Sequence, residues 1–186
     1  MTSADSTPPS SRTFGVRDVV LIAIICAVSA VLYAGLGQVW AAITAAGGPL
    51  GGVVIGLFQF GHVLAGALIR KRGVVFITSI LSTVIQSFLG DPAGVYVIGW
   101  GLTHGIGAEL VFNIMNGFRN PRLSVYAVAS GVAAIFGHFF SYYLYGWDAA
   151  LWMFVISIPL LFFFSALESG GLVYLVKKGL DRAGIT

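Results

Sequence analysis

Ionisable side chains inside long apolar runs are the first candidates for chemistry in this sequence. Glu109 and Glu168 lie in such runs, together with three histidines, and no Lys or Arg lies beside them there. If these runs cross a membrane, each ionisable group costs at least about 2.5–3.5 kcal/mol on insertion scales, so each needs a partner or a function. We therefore expect Glu109 to be protonated, to pair with a histidine, or to receive a cationic ligand.

Hydrogen-bonding and aromatic side chains accumulate along the same runs, mostly toward the ends that we place outside the cell. Aromatic rings with a few polar groups are typical of a pocket for a small heteroaromatic ligand. Structural alternatives stay open, because polar side chains often bond neighbouring helices and aromatic residues often form an interfacial belt. The candidate ligand-binding residues are Glu109, His104, Trp100, Gln86, Gln59, Gln38, His138 and Tyr142.

The spacing within one run limits how these residues can cooperate. Trp100 and His104 share a helix face, whereas Glu109 lies about 140° around the helix from His104. Either the glycines of this run distort the helix, or His104 and Glu109 serve different neighbours.

The composition indicates that membrane helices must position these side chains. Of 186 residues, 58% are hydrophobic and 9% are charged, with a mean hydropathy of +0.94. Soluble domains carry about 25% charged residues, so a cytosolic enzyme and a disordered chain are excluded. A net charge of only +3 excludes nucleic acid as a partner. The single cysteine, Cys26, excludes an internal disulfide, and we expect no metal site.

Six apolar segments approach or reach the length of about 20 residues that a helix needs to cross a bilayer. Turn signals such as Gly90-Asp91-Pro92 and Gly146-Trp147-Asp148 separate them. The predicted spans are 18–40, 49–69, 73–90, 93–117, 122–146 and 149–176. We therefore expect an all-α integral membrane protein with six transmembrane helices in one bundle.

The basic residues predict the orientation of this bundle. All ten Lys and Arg precede span one, follow span two or four, or follow span six. Since basic loops stay in the cytoplasm, both termini are predicted to be cytoplasmic in a multi-pass protein of the cell membrane. The expected organisation is a disordered cytosolic tail (1–16), a substrate-binding transmembrane domain (17–180) and a cytosolic tail (181–186).

Two further patterns concern partners and catalysis. Ala23 and Ala27, four residues apart in span one, would let another helix approach closely, either within the bundle or from a partner. The sequence has no Walker A motif, so any nucleotide-driven work would come from partner chains. It also has no H-E-x-x-H motif, and Ser169 with His138 matches an intramembrane serine protease poorly.

The region 88–112 resembles a known family. Residues 88–94 read Phe-Leu-Gly-Asp-Pro-Ala-Gly, and residues 104–112 read His-Gly-Ile-Gly-Ala-Glu-Leu-Val-Phe. These stretches are similar to the S components of energy-coupling factor (ECF) vitamin transporters, and in particular to their YkoE type. That type is linked to thiamine and its hydroxymethylpyrimidine precursor. There, the second stretch typically reads Gln-Gly-Leu-Gly-Ala-Glu-Ala-Val-Phe.

The resemblance implies a substrate-binding subunit rather than an enzyme, in a bacterial plasma membrane. It implies assembly with a transmembrane coupling subunit (the T component) and two cytosolic ATPases that use ATP, with no cofactor in this chain. It also implies that Ala23 and Ala27 contact the coupling subunit and that Glu109 is the family's acidic residue. Ser79 and Gln86 replace acidic residues of some relatives, which leaves a neutral pyrimidine or another heterocycle open as the ligand.

A different class of function remains as the alternative. Glu109, Glu168 and the histidines could couple a stand-alone carrier or small channel for a heteroaromatic solute to protons. An intramembrane hydrolase would instead require Ser169 to be reactive.

Overall fold

The computed structural model describes residues 13–145 and 151–184, and these residues form helices and no strands. A 3₁₀ segment, Gly48–Gln59, leads into α2, a 3₁₀ turn, Gly94–Tyr96, precedes α4, and a π-helical turn, Ala166–Gly170, joins α6 to α7. The α-helices are α1 (Val16–Gly47), α2 (Phe60–Ile69), α3 (Val74–Phe88), α4 (Val97–Ile114), α5 (Leu123–Tyr145), α6 (Leu151–Ser165) and α7 (Gly171–Arg182).

Four helical stretches are long and apolar enough to cross a membrane by length and composition. They are Val16–Ile43, Gly94–Ile114, Leu123–Leu144 and Phe154–Arg182. Two shorter apolar helices, Val54–Ile69 and Val74–Phe88, complete the bundle. The prediction of an all-helical protein is confirmed for the described residues, and four of the six predicted spans coincide with helices long and apolar enough to cross a membrane. The two shorter helices lie at the positions of the predicted second and third spans.

The outer surface of α1 is apolar, as expected for a helix that faces lipid. Val19, Val28 and Val31 are 55%, 62% and 66% exposed, and Ala23 and Ala27 lie exposed among them. Soluble monomers rarely expose a continuous apolar patch of this kind, because it would contact water. This surface is therefore suited to lipid or to another membrane helix.

The Lys and Arg residues that the structure describes lie at one end of the bundle, which we call the basic end. They occur at the start of α1, between α2 and α3, between α4 and α5, and in α7. Arg70 donates from Nε to the Phe118 carbonyl (3.0 Å) and from Nη2 to the Arg119 carbonyl (2.8 Å). Lys71 pairs with Asp18 at 2.7 Å. These bonds tie the connections at the basic end together.

The first and last helices extend slightly beyond the predicted boundaries of the transmembrane domain, residues 17–180. Helix α1 begins at Val16, and α7 continues to Arg182, where an i, i+4 ion pair joins Lys177 to Asp181. Residues 1–12 and the turn Gly146-Trp147-Asp148 lie outside the described residues.

The two halves of the bundle differ in their interiors. The half near the basic end has an apolar core, which includes Val63, Val75, Phe112 and Tyr126. Many of the buried polar side chains lie farther along the same helices, toward the opposite end. Because buried polar groups need hydrogen-bond partners, this division places a candidate site in the half away from the basic end.

Candidate functional site

A cavity of about 90 Å³ opens in the half of the bundle away from the basic end. Helices α1, α3, α4 and α5 form its walls together with the 3₁₀ segment, the start of α2 and the α3–α4 connection. Its aromatic side chains are Tyr33, Trp40, Phe58 and Trp100, and its polar side chains are His62, Ser79, Thr83, Gln86, Asp91, His104, His138 and Ser141. This size and lining favour a small ring-containing solute over a large cofactor.

Two buried histidines face one another in this cavity. The rings of His62 on α2 and His104 on α4 are nearly parallel, with centroids 6.4 Å apart and an interplanar angle of 20°. Gln59 lies behind His104, and its Nε2 is 3.4 Å from His104 Nε2. Gln59 Oε1 and His62 Nε2 are buried without a hydrogen-bond partner among the described residues. Leaving such groups unpaired costs about 1–3 kcal/mol each, and of these two residues His62 lines the cavity, where a polar ligand could bond to it.

His104 can occupy this position because Gly137 of α5 lies against it. A Cβ at Gly137 would overlap the imidazole ring of His104. Any residue larger than glycine at position 137 would therefore displace the side chain of His104.

The α3–α4 connection lines the cavity at the end that is farthest from the basic end. Asp91 Oδ2 accepts a hydrogen bond from Gln86 Nε2 (2.6 Å), and Asp91 Oδ1 accepts one from the Ala93 N–H (2.8 Å). Gln38 is exposed outside the cavity and donates from Nε2 to the Gly90 carbonyl (3.1 Å). Gln86 and Asp91 thus belong to the cavity lining, whereas Gln38 holds the connection to α1.

Aromatic packing orders the part of the cavity wall formed by α4 and α5, which α6 supports from behind. Trp100 donates from Nε1 to Ser141 Oγ (2.8 Å). His138 stacks on Phe154 with centroids 4.6 Å apart, and its Nε2 lies 2.7 Å from Ser157 Oγ. Tyr142 packs on the same Phe154, is 37% exposed and is not among the residues lining the cavity.

Glu109 is directed away from the cavity. Its carboxylate accepts hydrogen bonds from the backbone N–H groups of Gly73 (2.7 Å), Val75 (3.2 Å) and Phe76 (3.4 Å), and from Asn113 Nδ2 (3.1 Å). A carboxylate is favourable at a helix N-terminus, where backbone N–H groups lack partners in the helix. Of the two arrangements expected for this helix, the structure shows the one in which His104 and Glu109 contact different neighbours, and it places Glu109 apart from the cavity.

The second intramembrane glutamate also lies apart from the cavity. Glu168 belongs to the π-helical turn, close to Gly56, and its Oε2 is buried without a partner among the described residues. The hydroxyl of the adjacent Ser169 donates to the Gly56 carbonyl. Neither residue lines the cavity. Among the described residues, no three His, Cys, Asp or Glu side chains are grouped as metal ligands.

The structure therefore brings together only part of the candidate set. Gln86, Trp100, His104 and His138 line the cavity, and Gln59 supports His104 from behind. His62 and Asp91 also line the cavity, although neither was among the predicted ligand-binding residues. Asp91 was placed in a turn because of its Gly-Asp-Pro context, and His62 lies in an apolar run that gave no indication of its direction.

Comparison with known proteins identifies the fold and the family. Residues 17–136 match the family described as "ABC-type cobalt transport system, permease component". The chain is 28% identical over 126 residues to the "Putative HMP/thiamine permease protein YkoE" of Bacillus subtilis (strain 168). That alignment covers 66% of this chain and 63% of the relative, so the chain matches somewhat less than two thirds of the relative's length.

A solved structure described as "Crystal structure of an S-component of ECF transporter" has the same fold. Its TM-score with this chain is 0.87 at 24% sequence identity, over 93% of this chain and 88% of the other. The predicted resemblance to YkoE-like S components is confirmed by the likeness to the Bacillus protein in sequence and by the S-component fold in structure. Since the family match covers well over half of the residues, this chain belongs to the family of ABC-type cobalt transport permease components, and it has the fold of an ECF-transporter S component.

Proposed function

We propose that this chain is the substrate-binding membrane subunit of an ATP-driven ECF importer, and that it binds thiamine or hydroxymethylpyrimidine. The cavity carries this proposal, because aromatic rings surround two buried histidines and a Gln–Asp pair that can bond a heteroaromatic ring. The name of the Bacillus relative supports the same ligand class.

The proposed subunit crosses a bacterial cell membrane six times, with both termini in the cytoplasm. The basic end would then face the cytoplasm, as the positive-inside rule requires, and the cavity would open toward the outside. A ligand entering from outside would reach the rings of Trp40 and Trp100. This arrangement is suited to capture of a scarce solute for import.

The partners belong to the same proposal. A transmembrane coupling subunit would pack on the exposed small residues Ala23 and Ala27 of α1, and two cytosolic ATPases would supply the work of ATP hydrolysis.

Titration of the purified full-length chain with thiamine and with hydroxymethylpyrimidine tests the ligand class. We expect saturable heat of binding for at least one of them by isothermal titration calorimetry. Pyridoxine, a heteroaromatic vitamin of similar size without an aminopyrimidine ring, is the control ligand. Absence of binding for both test ligands up to about 1 mM, equivalent to about −4.1 kcal/mol, would contradict the proposed substrate class.

Reconstitution separates the importer from the stand-alone carrier. In liposomes, we expect uptake only when the coupling subunit, the ATPases and ATP are present. Uptake by the single chain under a pH gradient alone would instead support the proton-coupled carrier.

A further inference from the structure

The only acidic side chain among the described residues that line the cavity is Asp91, and none of those residues is Lys or Arg. The ion pairs that the structure shows, Lys71–Asp18 and Lys177–Asp181, both lie at the basic end. In the described part of the cavity, the carboxylate of Asp91 therefore has no cationic side chain beside it.

The contacts of Asp91 are those of an ionised carboxylate. Both oxygens accept from N–H donors, Oδ2 from Gln86 Nε2 and Oδ1 from the Ala93 backbone. An ionised carboxylate only accepts hydrogen bonds and has about four acceptor positions, so two bonds leave capacity for a ligand. The side chain is 8% exposed, and it lies against Gly37, where a Cβ would overlap Oδ2. Its position is thus set before a ligand arrives.

We infer that Asp91 sets the charge selectivity of the cavity. It favours ligands that carry a positive charge near the α3–α4 connection, and it disfavours the same ligands once they carry a phosphate. A fixed negative charge in a buried cavity attracts cations and repels anions more strongly than it would in water. The inference rests on the proposed function of the same cavity and names the charge class of its substrate.

This role of Asp91 changes the ligand charge that we expect from the sequence. Positions 79 and 86 carry Ser and Gln instead of acids, which left a neutral ligand open. The structure supplies a carboxylate from the α3–α4 connection, where it bonds Gln86 directly.

Calorimetry with three ligands of different charge tests the role of Asp91. The ligands are thiamine (a cation), hydroxymethylpyrimidine (neutral) and thiamine phosphate (anionic at its ester). With the unaltered chain, we expect thiamine phosphate to bind at least about 10-fold more weakly than thiamine. Asp91→Asn should weaken thiamine about 10- to 100-fold and hydroxymethylpyrimidine less than about 3-fold, while thiamine phosphate binds as before or more tightly.

Asp181→Asn is the matched control, because it makes the same acid-to-amide change at the basic end, where Asp181 pairs with Lys177. We expect it to leave all three affinities unchanged. Asp91→Glu keeps the charge, so it should keep the preference for thiamine over hydroxymethylpyrimidine even if both bind more weakly.

Two outcomes separate the inference from the proposed function. If Asp91→Asn weakens all three ligands equally, or none of them, Asp91 only shapes the connection and the inference is wrong. If the unaltered chain binds neither thiamine nor hydroxymethylpyrimidine, the proposed function is wrong at its first step.

Discussion

At the scale of single residues, the packing around a side chain decides whether it faces the cavity or a neighbouring helix. His104 and Glu109 are only five positions apart on α4. Gly137 leaves room for the His104 ring in the cavity wall, whereas the N-terminus of α3 supplies N–H donors to Glu109. Two polar groups that are close in the sequence thus have different surroundings.

Position 104 allows a test of the histidine's role as a hydrogen-bonding group. We expect His104→Gln to keep the affinity for hydroxymethylpyrimidine within about 3-fold, because Gln also donates and accepts and can still meet Gln59. His104→Leu should lower the affinity at least about 10-fold, since it removes the polar group and leaves Gln59 unpaired. Titration calorimetry measures both variants. Equal affinities for the Gln and Leu variants would show that the ring contributes only packing.

Glu109 allows a test of its position outside the cavity. Glu109→Gln should lower the free energy of unfolding by about 1–2 kcal/mol, because the N-terminus of α3 loses a charged acceptor. Thermal unfolding in detergent measures this change. The affinities for thiamine and hydroxymethylpyrimidine should stay within about 2-fold of the unaltered chain, whereas a loss confined to thiamine would show that Glu109 reaches the ligand.

At the scale of elements, the outer face of α1 is separate from the cavity that α1 also lines. Tyr33 and Gly37 of α1 face inward to the cavity, and Ala23 and Ala27 face outward near the basic end. One long helix therefore connects the ligand site with the proposed contact for the coupling subunit.

This separation predicts a variant that binds ligand but does not transport it. Ala23→Leu with Ala27→Leu should abolish copurification with the coupling subunit and ATP-driven uptake, because the added side chains prevent close helix approach. Ligand affinity should stay within about 2-fold, since neither residue lines the cavity. Val155→Leu, at a position that is 54% exposed on α6, is the control for enlarging an exposed side chain. Normal uptake by the double variant would place the coupling contact elsewhere.

At the scale of the whole molecule, the two ends of the bundle differ, because one half has an apolar core and the other half holds the cavity. The basic connections lie beside the apolar core, and the cavity lies at the opposite end. The buried apolar core lies between the cavity and the basic end, so the described cavity lies apart from the side that we assign to the cytoplasm.

Cysteine labelling in cells tests this orientation. The single native cysteine, Cys26, is 1% exposed, and Cys26→Ala gives a background without thiols. On that background, Val95→Cys should react with a membrane-impermeant maleimide in intact cells, because Val95 is 66% exposed in the α3–α4 connection. Asn120→Cys, in the α4–α5 connection, should react only after lysis. The reverse pattern would invert the proposed topology.

The sequence by itself was sufficient for the class of protein, the helical segments and the family. Hydropathy and charge are properties of contiguous residues, so the apolar helices and the basic connections can be found without knowing how the helices pack. The motif at residues 104–112 is likewise local. For the same reason, Gln86, Trp100, His104 and His138 could be predicted as candidates, because they are polar or aromatic groups in apolar runs.

Only the tertiary structure decided which of these groups share a cavity. It added His62 and Asp91, and it placed Gln38, Glu109 and Tyr142 elsewhere. The direction of a side chain depends on the rotation of its helix against neighbours that are remote in the chain, as at the contact between His104 and Gly137. The partner of a polar group depends equally on such neighbours, because the donors that hold Glu109 come from another helix. Side-chain directions and hydrogen-bond partners of this kind are set only when the helices pack, so a local sequence pattern cannot predict them.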